Sequence, residues 1–337
     1  MASPDSKQWL TRYRAGEHEA VWTEMTALGP SVRQPSHAEP AWAVARETMR
    51  RARHNIELII QRLDQLGYRF WDGSSGNTAA PLMAIGGMAI PMADLSSSKL
   101  VDHVMKQLSM VPEHMRGNID KRLRERLSKA EPLFQRMGAG AADAAAAERE
   151  KTEEARRRRA ISDHLKDPHV FAPATKEDAA YFAQLEVRGL ILPMSLRAWF
   201  EEVGDVNLLG THSALSPGGI EADPLTIFSD SLRNEIDTWL EYQEAGDDTG
   251  PHEVVLSWDA KDKARQRADK TELCDYGYIV DIPDARADPG LHGERHKTTF
   301  VDYLRIAFRC GGFPGWERYP NRPDNELNFL TEGLLPI

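Results

Sequence analysis

The chain is 337 residues long, 41% hydrophobic and 28% charged, and its 42 Lys and Arg against 52 Asp and Glu leave a formal net charge of -10. That length suits two domains of ~100 to 200 residues each, and the composition is that of a folding chain rather than a disordered one. The acidic balance repels phosphate backbones and argues against nucleic acid as a partner. Met1-Ala2-Ser3-Pro4-Asp5-Ser6-Lys7-Gln8 lacks the basic and apolar regions of a secretory signal, so residence in the cytoplasm is expected. Cys274 and Cys310 are too few for a disulfide framework and are expected to be free thiols.

In chain order, a short helix is expected around Glu17 to Leu28, followed by a connector punctuated by Pro30, Pro35 and Pro40. From there Trp42, Ala45, Met49, Ala52, Ile56, Ile59, Leu63 and Leu66 alternate spacings of three and four, which puts them on one stripe of a helix closed by Gly67. Such a stripe is either the buried face of a bundle helix, which its two alanines favour, or the seam of a homodimer through residues 42 to 66. The uncharged run from Gly73 to Ala93 has the length of a bilayer span, but Gly73, Gly76, Gly86, Gly87, Pro81 and Pro91 interrupt it. A glycine-hinged buried connection is expected there, with no membrane partner. Two further helices are expected, one carrying Leu100, Val104 and Leu108 and one from Pro112 to about Met137. Residues 138–147 are alanine-rich and Glu148 to Arg159 densely charged, the pattern of a solvated helical linker. The first 137 residues thus read as an all-α region, and 138–166 as its linker.

The texture changes at Asp167-Pro168. Thr175 with Asp178 predicts a capping box for a helix carrying Ala179, Phe182, Leu185 and Val187. Pro193 opens the next helix, whose Leu196, Trp199, Phe200 and Val203 share a face that ends at Gly204. Strands are expected at Val206 to Gly210, Leu225 to Phe228, Val254 to Trp258 and Tyr276 to Ile282, with a helix from about Ser231 to Glu244 between the second and third. Thr299 with Asp302 predicts a final helix carrying Phe300, Leu304, Ala307 and Phe308, stopped by Gly311-Gly312. Helices flanking a small, mostly antiparallel sheet make residues 167–337 an α+β domain.

The order of these pieces resembles the bacterial branch of the SMI1/KNR4 family, the SUKH superfamily, over roughly residues 170 to 318. The residues that carry the resemblance are Leu192-Pro193-x-Ser195-Leu196-x-x-Trp199-Phe200-x-x-Val203-Gly204, the strand with Leu208-Leu209-Gly210, Asp223-Pro224-Leu225, and Phe300-Val301-x-Tyr303-Leu304-Arg305-x-x-Phe308-x-x-Gly311-Gly312-Phe313-Pro314-Gly315. Compact members of that family are largely the α+β domain alone, so the helical residues in front lie outside the resemblance. What it implies is a protein-binding fold rather than an enzyme, of the kind that neutralises a polymorphic toxin encoded by a neighbouring gene. An acidic chain suits a basic partner.

No constellation argues for catalysis or a cofactor. His292-Gly293-Glu294-Arg295-His296 is the nearest approach to a metal motif and the basis of the alternative reading, a metal-dependent hydrolase. Its glutamate stands one place late for a zincin helix, and Asp288-Pro289-Gly290 predicts a loop. Gly73-Ser74-Ser75-Gly76-Asn77 lacks the lysine of a phosphate-cradling loop, and Cys310 beside Gly311 is expected to be a buried, unreactive thiol. Trp199 and Trp239 fall on apolar helix faces and are expected in the core. Trp316, with Arg318 and Tyr319 beside it, is the expected exposed interaction anchor, since Trp, Tyr and Arg dominate protein interfaces.

Overall fold

The computed structural model describes residues 6–71, 82–85, 88–91, 163–217, 221–246, 252–268 and 277–337. The expected helices over 100–137 and the linker over 138–159 lie outside them, as do Gly73 to Asn77 and Cys274.

Three helices open the chain: α1, Trp9–Arg14; α2, His18–Ala27; and α3, Ala38–Gln65, with Pro40 tolerated in its first turn. Along α3 the expected stripe is buried from Ala45 through Met49, Ala52, Ile56 and Ile59 to Leu63, and Ile60, which lies off that stripe, is buried with them. The helix is therefore covered on a broad face by its own chain, as expected of a bundle helix. Trp42, at the stripe's start, is only half-buried and carries the guanidinium groups of Arg33, Arg46 and Arg197 at 5.6, 5.6 and 5.1 Å from its ring.

What covers α3 comes from the far end of the sequence. The helices α4, Lys176–Val187, and α5, Met194–Glu202, follow one another, and α5 packs along α3. Arg50 binds the Glu202 carboxylate at 3.2 Å and Arg53 donates to the Glu202 carbonyl at 3.3 Å. Asn55, fully buried, donates to the Leu335 carbonyl at 2.8 Å and accepts the Leu335 N–H at 2.7 Å, so one side chain satisfies both backbone groups of the closing segment. Contacts of this kind place Met1–Gly73 and Arg157–Ile337 in one compact unit and Ser74–Arg156 in another. That partition differs from the expected division into 1–137, 138–166 and 167–337. Of the second unit, the described residues form an antiparallel hairpin of β2, Leu82–Ile85, and β3, Met88–Pro91, with Leu82 opposite Pro91.

The expected capping box at Thr175 forms: its hydroxyl accepts the Asp178 N–H at 3.2 Å, and Asp178 accepts the Thr175 N–H at 2.7 Å. Pro193 is the residue before α5 rather than its first. The strands are short and antiparallel. β1, Arg69–Phe70, pairs with β6, Gly210–Thr211; β5, Gly204–Asn207, lies between β4, Phe171–Pro173, and β7, Thr226–Ile227; β8, His252–Trp258, pairs with β9, Gly277–Ile282. Gly204 makes the α5–β5 corner at φ +95°, and a Cβ there would stand 2.2 Å from the Ala172 carbonyl oxygen. Helix α6, Ser229–Ala245, and helix α8, Phe300–Arg309, match expectation, whereas α7, Ala260–Ala268, and α9, Asp324–Thr331, are additions. The mixed helix and strand content, with small antiparallel sheets behind an N-terminal helical region, is the α+β class.

Ile59 touches the Gly312 backbone region, where N- and C-terminal segments meet. Ile59→Ala is expected to cost roughly 2 to 5 kcal/mol. In urea, fluorescence and far-ultraviolet circular dichroism are expected to shift together to the lower midpoint; a tryptophan signal unmoved by the change would contradict the shared core.

Candidate functional site

The expected anchor is the first to be tested by geometry. Residues Pro314–Arg318 form a 3-10 turn in which Gly315 lies against the backbone of Glu221 and Ala222, donating to the Ala222 carbonyl at 3.0 Å. A Cβ on Gly315 would come within 2.0 Å of the Glu221 carbonyl oxygen. This close approach turns Trp316 inward: it is 3% exposed, and its indole N–H donates to the Leu215 carbonyl at 3.0 Å. Trp316 is therefore a core residue rather than an exposed anchor. Arg318 is half-exposed and paired with Glu221 at 2.7 Å, while the Tyr319 hydroxyl accepts the Glu221 N–H at 3.1 Å. Both stay at the surface as braces for the 221–223 segment.

The His292 to His296 segment is a loop, as its proline and glycine predict, and it does not converge on a metal position. His292 Nε2 lies 3.0 Å from the Asp281 carboxylate, whereas His296 reaches the other way, with Nδ1 2.5 Å from Glu294 and Nε2 2.8 Å from Glu317. Among the described residues no group of three His, Cys, Asp or Glu side chains is arranged to hold a metal ion. Cys310 is buried at the end of α8, and burial pushes its thiol up to about 11.

Asp288 anchors this loop. The Ser195 hydroxyl donates to it at 2.6 Å, and the Val301 N–H in the first turn of α8 lies 3.2 Å from both its oxygens. Thr299 makes no capping bond to the α8 backbone, so Asp288 serves where the Thr299–Asp302 box was expected. Burial raises the Asp288 carboxyl to about 6, against the lowering effect of the Ser195, Thr299 and Val301 donors.

Beneath the Trp316 turn lies a buried polar cluster with no counterpart in the motif reading. Asp223, at φ +53°, receives the Lys263 ammonium at 2.7 Å on one oxygen and the Tyr278 hydroxyl at 2.7 Å on the other. Lys263 is 0% exposed, and its ammonium sits 4.7 Å from the centre of the Tyr278 ring. Burial lowers the lysine pKa and Asp223 opposes that; burial and the same carboxylate raise the Tyr278 hydroxyl. The Tyr303 ring packs edge-on against Tyr278, and its buried hydroxyl has no hydrogen-bond partner among the described residues. The cluster's evident role is to tie α7, β9 and the 221–223 segment together.

The most open chemistry is on α4 and α6. Asp178 pairs with Arg233, the Tyr181 hydroxyl donates to Asp237 at 2.8 Å, and Arg188 binds Glu244 at 2.6 Å. Partners 55 or 56 residues apart make the two helices run side by side in the same direction. Val187 is 89% and Tyr242 55% exposed; with Leu335 they are the exposed large hydrophobics among the described residues. Val187 was expected on the buried face, but it lies about 140° to 160° around α4 from the buried Phe182 and Leu185 and faces water. Glu177, Asp237, Glu241 and Glu244 are also exposed on these helices, as are Lys176 and Arg188. Nothing in the sequence distinguished these residues from ordinary surface positions, because the pairing of the two helices is set by tertiary contacts.

No protein-family model, curated protein or solved structure matches this chain.

Lys263→Met is expected to cost roughly 3 to 5 kcal/mol by leaving Asp223 buried without its cation, and adding Asp223→Asn to recover part of that loss. Equal destabilisation of the single and double variants would refute the coupling. Because the folded Asp288 pKa lies above the ordinary value, its stabilising contribution is full below about pH 4 and is lost as pH rises through about 6. Asp288→Asn should therefore remove up to about 3 kcal/mol of the wild type's stability change across that window, read from urea midpoints at each pH.

Proposed function

We propose that this chain is a non-enzymatic protein-binding module that docks on a basic surface of another protein, and that it belongs to the bacterial toxin-immunity type implied by its SMI1/KNR4 resemblance. The observation that carries the reading is the exposed surface of α4 and α6, which between them present Val187 and Tyr242 to water together with Glu177, Asp237, Glu241 and Glu244. Apolar side chains in water supply affinity when a partner covers them, and the surrounding carboxylates select a partner of opposite charge and speed its approach. The net charge of -10 extends that attraction beyond the face itself. Tyr242 fits the aromatic anchors that concentrate binding energy at interfaces, and the Arg188–Glu244 pair beside it holds the helix ends together.

The fold supports this reading by leaving the face rigid. Both helices are pinned to the core by their inner residues, Phe182 and Leu185 on α4 and Leu232 and Ile236 on α6, all buried. A face presented by packed helices loses little conformational freedom on docking.

Co-expression with the product of the adjacent gene tests the proposal. The wild type is expected to restore growth and to co-purify with that product, less so at high salt. Glu241→Lys with Glu244→Lys is expected to weaken the complex roughly tenfold or more, chiefly through the association rate. Absence of both rescue and co-purification would overturn the reading; a complex indifferent to the charge reversal would move it to another face.

A further inference from the structure

We propose that the buried Lys263 and Asp223 side chains condense to an isopeptide bond, a covalent link that the folded chain makes between α7 and the 221–223 segment. The two groups are placed for it: the Lys263 ammonium stands 2.7 Å from one Asp223 oxygen, with the lysine 0% and the aspartate 2% exposed. The link is independent of the binding function proposed for the α4–α6 face.

Proximity supplies most of what amide formation lacks in water. Reacting groups held in place by a fold can reach effective molarities of about 10⁵ to 10⁸ M. Here the Lys263 ammonium is held over the Tyr278 ring, 4.7 Å from its centre, and the Tyr278 hydroxyl donates at 2.7 Å to the Asp223 oxygen that the lysine does not use. The surroundings also favour the product. An ammonium and a carboxylate sealed from water retain their desolvation cost, whereas the amide that replaces them is neutral. Burial lowers the lysine pKa against the raising effect of Asp223, which brings the nucleophilic free amine within reach.

The step balances without an added reagent. The ammonium passes one proton across the 2.7 Å contact to Asp223 Oδ1, and the resulting amine attacks Cγ with its lone pair. Charge gathers on Oδ2, where the Tyr278 hydroxyl donates. Tyr278 keeps its own proton, since burial and the Asp223 charge raise its pKa. A second proton leaves the nitrogen for Oδ1, directly or through the buried Tyr303 hydroxyl, which has no hydrogen-bond partner among the described residues. The Cγ–Oδ1 bond breaks, its electron pair departs with a molecule of water, and the Nζ–Cγ amide remains. The link spans 40 residues that include α6 and β8, so it restricts the unfolded chain as a disulfide would, without needing an oxidant.

Intact-mass spectrometry of the full chain, denatured after purification, tests the link. Apart from any N-terminal processing, the wild type is expected to weigh about 18 Da less than its sequence, the mass of the water lost. Trypsin should then yield residues 198–233 joined to residues 262–265, uncut at Lys263, and fragmentation should place the junction on Lys263 and Asp223. Asp223→Asn is expected to reach the same final mass, because the same amide forms there with loss of ammonia, while Lys263→Met is expected to keep its full sequence mass. In pulse-labelled protein, Tyr278→Phe should slow the mass loss at least about tenfold by removing the donor to Oδ2. A wild type of unaltered sequence mass, or a loss of water placed at other residues, overturns the proposal and leaves Lys263 and Asp223 as an ion pair.

Discussion

The structure rests on the burial of α3 by segments that follow it by more than a hundred residues. A helix with apolar side chains on so broad a face has no stable form in water by itself, and here α5 and the closing Leu335 segment supply the cover. Asn55 makes that cover specific. Its amide satisfies both backbone groups of Leu335, a match that a displaced closing segment would lose, leaving a buried amide without partners.

Polar groups in the core repeat the same logic. Asp288 joins the 284–299 loop to α5 and α8, and Asp223 joins α7 to β9; in each case one carboxylate collects donors from elements distant in sequence. Water is excluded from these positions, so each carboxylate favours the arrangement that satisfies it over close alternatives. Burial raises the Asp288 carboxyl and lowers the Lys263 ammonium at these two joints.

Surfaces open to partners arise where this framework runs out. Val187 and Tyr242 are exposed on α4 and α6, and Trp71, Phe228 and Trp258 are half-buried at strand ends.

By itself the sequence determined what depends on local spacing: the stripe from Ala45 to Leu63, the Thr175–Asp178 cap, the Gly204 corner, the stop at Gly311-Gly312, and the loop character of His292 to His296. Each follows from a period, a cap or a left-handed backbone that a few neighbouring residues dictate. Tertiary structure alone decided which faces were covered. Trp316 turned inward because Gly315 lets a segment ninety residues earlier in the chain approach it, and Val187 stayed in water because the core covers only the side of α4 that carries Phe182 and Leu185. Lys263, in a helix of low apolar content, became the most buried lysine of the described chain only because Asp223 and Tyr278 arrive from elsewhere. Exposure is a property of the pair of surfaces that meet, and the partner surface is not written next to the residue it hides.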